Sequence, residues 1–207
     1  MQVRSRWIKS ESMLEEREYT RGKTVALKPR IEVVLNKIKN EVTKLAYIYT
    51  ELVAIEVKIR ESNSSFSSDH DVSKHGVSDH AEIFQSRRRG ITVTMSMMSL
   101  ETVADRLQAA KNITEVASAL KPTIAVVKNL RSALIRYVSG AQEQITDICD
   151  MLELILIDSC QLSNGILDFK EANHEAILLL NEAHLKAEQK MQEEFPGLMR
   201  FFSKRTS

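Results

Sequence analysis

From Phe84 to Leu120 the chain carries no proline and a single glycine, while apolar residues keep returning at helical spacing. The stripe runs through Phe84, Ile91, Met95, Met98, Val103, Leu107, Ala110, Ala117 and Leu120. It continues through Ile124, Val127, Leu130, Leu134 and Val138. A compact chain of 207 residues has a radius of gyration of ~17 Å and a diameter of ~43 Å. Residues 80–120 as one helix would reach ~60 Å, longer than any sphere this chain could form. A projecting rod leaves part of its apolar stripe uncovered, and uncovered stripe attracts partner helices. The pattern predicts an elongated, self-associating protein.

The rest of the chain agrees. With 6 Gly and 3 Pro there is little to interrupt long elements, and the second half is rich in residues that lose little on entering a helix. The fold class expected is all-α, an elongated long-helix hairpin with shorter C-terminal helices. Residues 1–27 alternate charges and read as a basic, mobile tail. A helix is expected over 28–61, opening at Lys28-Pro29 because proline suits a first turn. Its broad face holds Ile31, Leu35, Ile38, Val42, Leu45, Tyr49, Leu52 and Ile59, widened by Val34, Ile48 and Ile55. Residues 62–78 hold seven Ser, two Asp and two His, which reads as a flexible connector.

A second helix is expected over 79–138, capped by Ser78 or Asp79 with Glu82 in its first turn. The run Gly90-Ile91-Thr92-Val93-Thr94 is locally strand-like, and Pro122 should kink or split the helix. A third helix over 142–161 places Ile145, Ile148, Leu152 and Ile155 on one side, and Asn164-Gly165 follows as a left-handed stop. A fourth over 169–194 halts before Pro196-Gly197. The organisation expected is a tail (1–27), a hairpin core (28–138), acidic regulatory helices (139–195) and a C-terminal tail (196–207).

Charge is unevenly placed. Residues 1–60 carry 13 Lys+Arg against 8 Asp+Glu, and residues 141–207 carry 6 against 12. A front of +5 and a rear of −6 can attract within one chain, between chains, or toward an anionic surface. Cys149 and Cys160 lie ~16 Å apart on one helix, too far to bridge, and read as buried apolar residues of a reducing compartment. No run of 18 apolar residues is present, so no membrane span is expected. The first eight residues lack a signal core. A cytoplasmic protein is expected.

Enzyme chemistry finds little support. A di-iron bundle needs two Glu-x-x-His motifs, and only Glu171-x-x-His174 occurs. No glycine loop could cradle phosphate, and neither cysteine has a histidine at motif spacing. His70, His75 and His80 recur in a polar stretch that reads as a loop. Arg87-Arg88-Arg89 could meet phosphates but reads as a solvated face or a subunit contact. No catalytic residue, cofactor, metal or nucleic acid is expected.

The segment from Leu100 to Leu130, with Leu100-Glu101, Val103 and Leu107, Ala119-Leu120-Lys121-Pro122 and Lys128-Asn129-Leu130, resembles the ESCRT-III family. It is most like the family's archaeal cell-division B (CdvB) branch. Asn181 to Met191 is similar to the family's acidic, Ala/Met-rich terminal helix, and the charge gradient is a further family trait. The resemblance spans roughly Lys28 to Phe195. The Ser/His-rich connector and residues 87–98 depart from the family pattern, and the winged-helix piece of some archaeal members is not expected after Arg200.

The resemblance implies a non-enzymatic subunit that polymerises on membranes and remodels or severs them in archaeal-type division. Its expected place is the cytoplasmic face of the membrane at the division site. Implied partners are further copies, paralogous ESCRT-III subunits, an anionic membrane surface and an AAA-type disassembly ATPase. The basic hairpin surface of the family maps here to Lys28, Arg30, Lys37, Lys39 and Lys44. From the residues themselves, Arg4, Arg6, Trp7 and Ile8 form a candidate shallow anchor, a lone tryptophan among cations. Glu188, Met191, Phe195, Pro196 and Leu198 partly fit the peptide that family members offer to the ATPase. The acidic helices are expected to fold back on the basic front in a closed form. The alternative from another class is a coiled-coil adaptor without membrane activity.

Overall fold

In a computed structural model the backbone is described over residues 2–65, 75–138, 140–163 and 170–194. Within these, side chains are described for 27–59, 61, 81–138, 140–161 and 172–194. Five helices follow in order: α1 (Gln2–Ser65), α2 (His75–Ala109), α3 (Ile113–Leu134), α4 (Ala141–Ser163) and α5 (Lys170–Glu194). There is no strand among the described residues.

Helices α1 and α2 pack as the hairpin. On α1 the buried line is Val34, Ile38, Glu41, Leu45, Tyr49 and Glu56. On α2 it includes Ile83, Ser86, Val93, Leu100, Ala104 and Leu107. Both lines advance mainly by three and four residues, the spacing of a coiled-coil seam. With the seam set, α4 packs against α3 and α1, and α5 packs against α2 and α3. The acidic α4 thus lies back on α1, whereas α5 lies on α2 and α3.

Two expectations need correcting. The first concerns the start of α1, which is Gln2 rather than Lys28; Pro29 lies inside the helix. Residues 11–19, Glu-Ser-Met-Leu-Glu-Glu-Arg-Glu-Tyr, are mostly good helix formers. Pro29 is exposed, so water can serve the carbonyl its missing N–H leaves open. The 64 residues of α1 span ~96 Å, so the rod that exceeds a globule is α1.

The second concerns the helix expected over 79–138, which is two helices, and Pro122 does not divide them. The break falls at Ala110-Lys111-Asn112. Asn112 Oδ1 accepts from the Glu115 N–H at 2.9 Å, and Glu115 reaches back to the Lys111 N–H at 2.7 Å. This reciprocal capping box starts a new helix outright. Pro122 is buried inside α3 among Leu120, Thr123 and Ile124. The locally strand-like run after Gly90 is helical, as the helix expected over this stretch has it. Thr92 donates to the Arg88 carbonyl at 3.0 Å and Ser96 to that of Thr92 at 2.7 Å, so these hydroxyls find acceptors within the helix. Burial of Val93 at 0% exposure outweighs the β preference.

Between α3 and α4 the Leu134 carbonyl accepts from Tyr137 and Val138 at 2.9 Å each. Gly140 adopts φ +81°, the left-handed region glycine enters freely. The expected stripe on α4 is the centre of the core: Ile145, Ile148, Leu152 and Ile155 are each 1% exposed or less. Cys149 and Cys160 are free and buried, and burial pushes the Cys149 thiol up. The connector expected over 62–78 narrows, since α1 continues to Ser65 and α2 begins at His75. His70 and the Asn164-Gly165 stop lie outside the described residues.

Removing the cap tests the α2–α3 break. Asn112→Ala should cost about 1 kcal/mol and lower the melting temperature by about 2–4 °C in thermal circular dichroism. An unchanged transition would mean that the capping box does not hold the break.

Candidate functional site

The five α1 cations singled out from the sequence divide by helical spacing. Arg30, Lys37 and Lys44 recur every seven residues and share one face; Lys28 and Lys39 are eleven apart, three turns, and share another. The structure treats the two sets differently. Arg30 pairs with Asp158, Lys37 pairs with Asp147, and Lys44 donates to Gln144, all on α4. Lys28 and Lys39 are exposed, with no ion-pair partner among the described residues. Further pairs fasten the fold: Lys128 with Glu153 at 2.7 Å joins α3 to α4, and Arg106 with Glu175 at 2.5 Å joins α2 to α5.

These pairs are half-exposed; Arg30 and Asp158 are 40% and 38% accessible. Pairs of this kind are worth roughly 0–1 kcal/mol each. They set which residue meets which, and the apolar face of α4 holds the helix down.

At the far end of α5 a second contact is built around Met191, which is 2% exposed. A Cβ at Gly90 would stand 3.0 Å from Met191 Cε and 3.2 Å from its Sδ. The thioether thus fills the space that the glycine leaves on α2. Tyr49 closes the socket from α1, its hydroxyl 3.5 Å from Met191 Sδ and donating to the Glu194 carboxylate. Lys190 Nζ sits 4.8 Å from the Tyr49 ring centre, within cation–π range, and 3.8 Å from Glu194. Burial first, and Glu194 second, raise the Tyr49 hydroxyl pKa, so it stays a donor.

The remaining candidates fare unevenly. Glu188 is half-exposed, 3.4 Å from His184. Phe195, Pro196 and Leu198 lie outside the described residues. Arg4, Arg6, Trp7 and Ile8 fall within α1, but their side chains lie outside those described. No described helix is long and apolar enough to cross a membrane.

Comparison with known proteins finds a similar curated protein. Over 139 residues the chain is 25% identical to Cell division protein B1 of Sulfolobus acidocaldarius, covering 67% of this chain and 64% of that protein. This is a distant match to one archaeal cell-division B protein. The matched region spans under two thirds of the CdvB-type relative's own length. No family model matches the chain, and no solved structure does. The helical hairpin with its shorter C-terminal helices is the fold that the resemblance implied.

Two groups of residues in this CdvB-like chain escaped the sequence reading. Asp147 and Asp158, eleven apart on one face of α4, were visible as a spacing, yet nothing local tied them to Lys37 and Arg30. Gly90 read only as the start of a locally strand-like run, whereas its place in the fold admits Met191. The socket gives a direct test. Gly90→Leu should overpack it by about 1–3 kcal/mol. Amide exchange in the last turns of α5 should then accelerate roughly ten- to hundredfold with helicity unchanged. Unchanged exchange there would show that Met191 is not held by this contact.

Proposed function

We propose that this chain is a filament-forming subunit that binds and remodels anionic membranes in archaeal-type cell division, and that the five-helix bundle is its closed form. The chain acts without catalysis, and its partners are further copies, paralogous ESCRT-III subunits, lipid and an AAA-type disassembly ATPase. The observation that carries the reading is the cover on α1. Three of its five candidate lipid-binding cations are occupied by α4 side chains. The division context is supported by the relationship to Cell division protein B1.

The split between cations suggests two strengths of membrane contact. Lys28 and Lys39 are available in the closed form and give weak attachment. Arg30, Lys37 and Lys44 add theirs when α4 lifts. Each cation near an anionic surface contributes ~1 kcal/mol, so one subunit binds modestly and an array binds firmly. Met191, buried in its socket, becomes available to the ATPase only after α5 has left the hairpin. The N-terminal stretch Arg4, Arg6, Trp7 and Ile8 serves as an interfacial anchor.

Neutralising the cover separates this reading from a coiled-coil adaptor. Asp147→Asn with Asp158→Asn frees Lys37 and Arg30 without adding cations. Cosedimentation with anionic liposomes should tighten by ~2 kcal/mol, roughly thirtyfold. Adding Arg30→Gln and Lys37→Gln should cancel the gain, and raising salt should weaken binding throughout. Absence of binding by every variant, with no filaments or deformed liposomes in negative stain, would favour the adaptor.

A further inference from the structure

Glu41 stands where a helix seam calls for an apolar residue. Val34 and Ile38 precede it and Leu45 and Tyr49 follow it at three- and four-residue steps, and all four are buried. Glu41 is itself 2% exposed, and its Oε2 has no hydrogen-bond donor among the described residues. Lys44 Nζ lies 3.7 Å away, close enough to attract but too far to donate a hydrogen bond.

The position ties this carboxyl to α4. Its neighbours four before and three after, Lys37 and Lys44, both reach α4, at Asp147 and Gln144. Glu41 therefore lies on the strip of α1 between the hairpin seam and the α4 contact line. Lys44, its counter-charge, is shared with the first turn of α4. Counting back from the Tyr49–Gly90 contact in antiparallel register sets Glu41 level with Met97 and Met98 of α2. The nearest ionisable group there in sequence is Glu101, which is exposed and screened by water. Asp147, the α4 carboxylate on this side, is engaged by Lys37.

We propose that docking of α4 on α1 is coupled to proton uptake at Glu41: the closed bundle holds this carboxyl protonated over a pH range in which the opened hairpin leaves it ionised. The coupling rests on the reading of α4 as a removable cover. Burial disfavours the charged form and raises the Glu41 pKa, with Lys44 opposing. Lifting α4 rehydrates the group and returns it toward the ordinary carboxylate range. The sign follows from linkage. A carboxyl raised in the closed state stabilises closure fully at low pH, and that contribution is lost as pH rises through the raised value. Substitution at Glu41 alone isolates its contribution.

The experiment is amide exchange of the α4 segment in the full chain, without lipid, across about pH 4.5 to 7.5, corrected for intrinsic rates. Glu41→Gln should protect α4 several-fold at the upper end, with the difference closing toward the lower end. Parallel profiles for the two proteins would overturn the coupling. A direct readout covers failure of the variant to fold: the wild-type Glu41 carboxyl should titrate above the ordinary ~4.3, and a midpoint at or below it would equally overturn the proposal. Both measurements are free of lipid, so their failure is distinguishable from failure of the membrane reading.

Discussion

Val34, Ile38, Leu45 and Tyr49 of α1 meet the Val93, Leu100, Ala104 and Leu107 line of α2 along one antiparallel seam, and the other helices are laid against the result. Each side chain of this size, fully buried, contributes roughly 1.5–3 kcal/mol relative to exposure, an upper estimate because unfolded chains already bury some surface. Without the seam neither helix has a surface for α4 or α5 to recognise. Arg30, Lys37 and Lys44 form a line because they recur every seven residues on α1. The Met191 socket exists only because Tyr49 and Gly90 are brought level from opposite strands of the hairpin.

Closure then divides into two kinds of work. Ile145, Ile148, Leu152 and Ile155 drive α4 into the core, each outweighing any one exposed ion pair. The pairs choose the register. A helix with that apolar stripe could slide by a turn at small cost in burial, but Asp158 would then miss Arg30 and Asp147 would miss Lys37. Charges that contribute little to stability can still decide where a helix comes to rest.

The sequence made some of this legible and hid the rest for identifiable reasons. The bounds expected for α4 and α5 lie within two residues of those found, because both helices are amphipathic and local pattern suffices. The α2–α3 break is hard to read from sequence because Pro122 is the conspicuous breaker residue, while Asn112 and Glu115 carry the stop in hydrogen bonds. Gly90 has opposite meanings in isolation and against Met191. Partners such as Arg30 and Asp158, 128 residues apart, become neighbours only after the chain folds. The candidate cations were readable as residues, and their division into covered and open sets was not.

The inner face of α5 holds Ala172, Ala176, Ala183 and Ala187 with half-buried Leu179 and Leu180, while Ile177, Leu178 and Leu185 look outward at 54–65% exposure. Alanines let two helices lie close, yet each hides only a methyl group, ~0.8 kcal/mol of burial. A helix seated this way is held at two places, by Leu179 and Leu180 midway and by the thioether plugged in at one end. Withdraw that plug and the remainder can peel away turn by turn, long before the isoleucine-filled flank of α4 would yield. The bundle thus carries within its side-chain sizes a built-in sequence of undoing, last helix first.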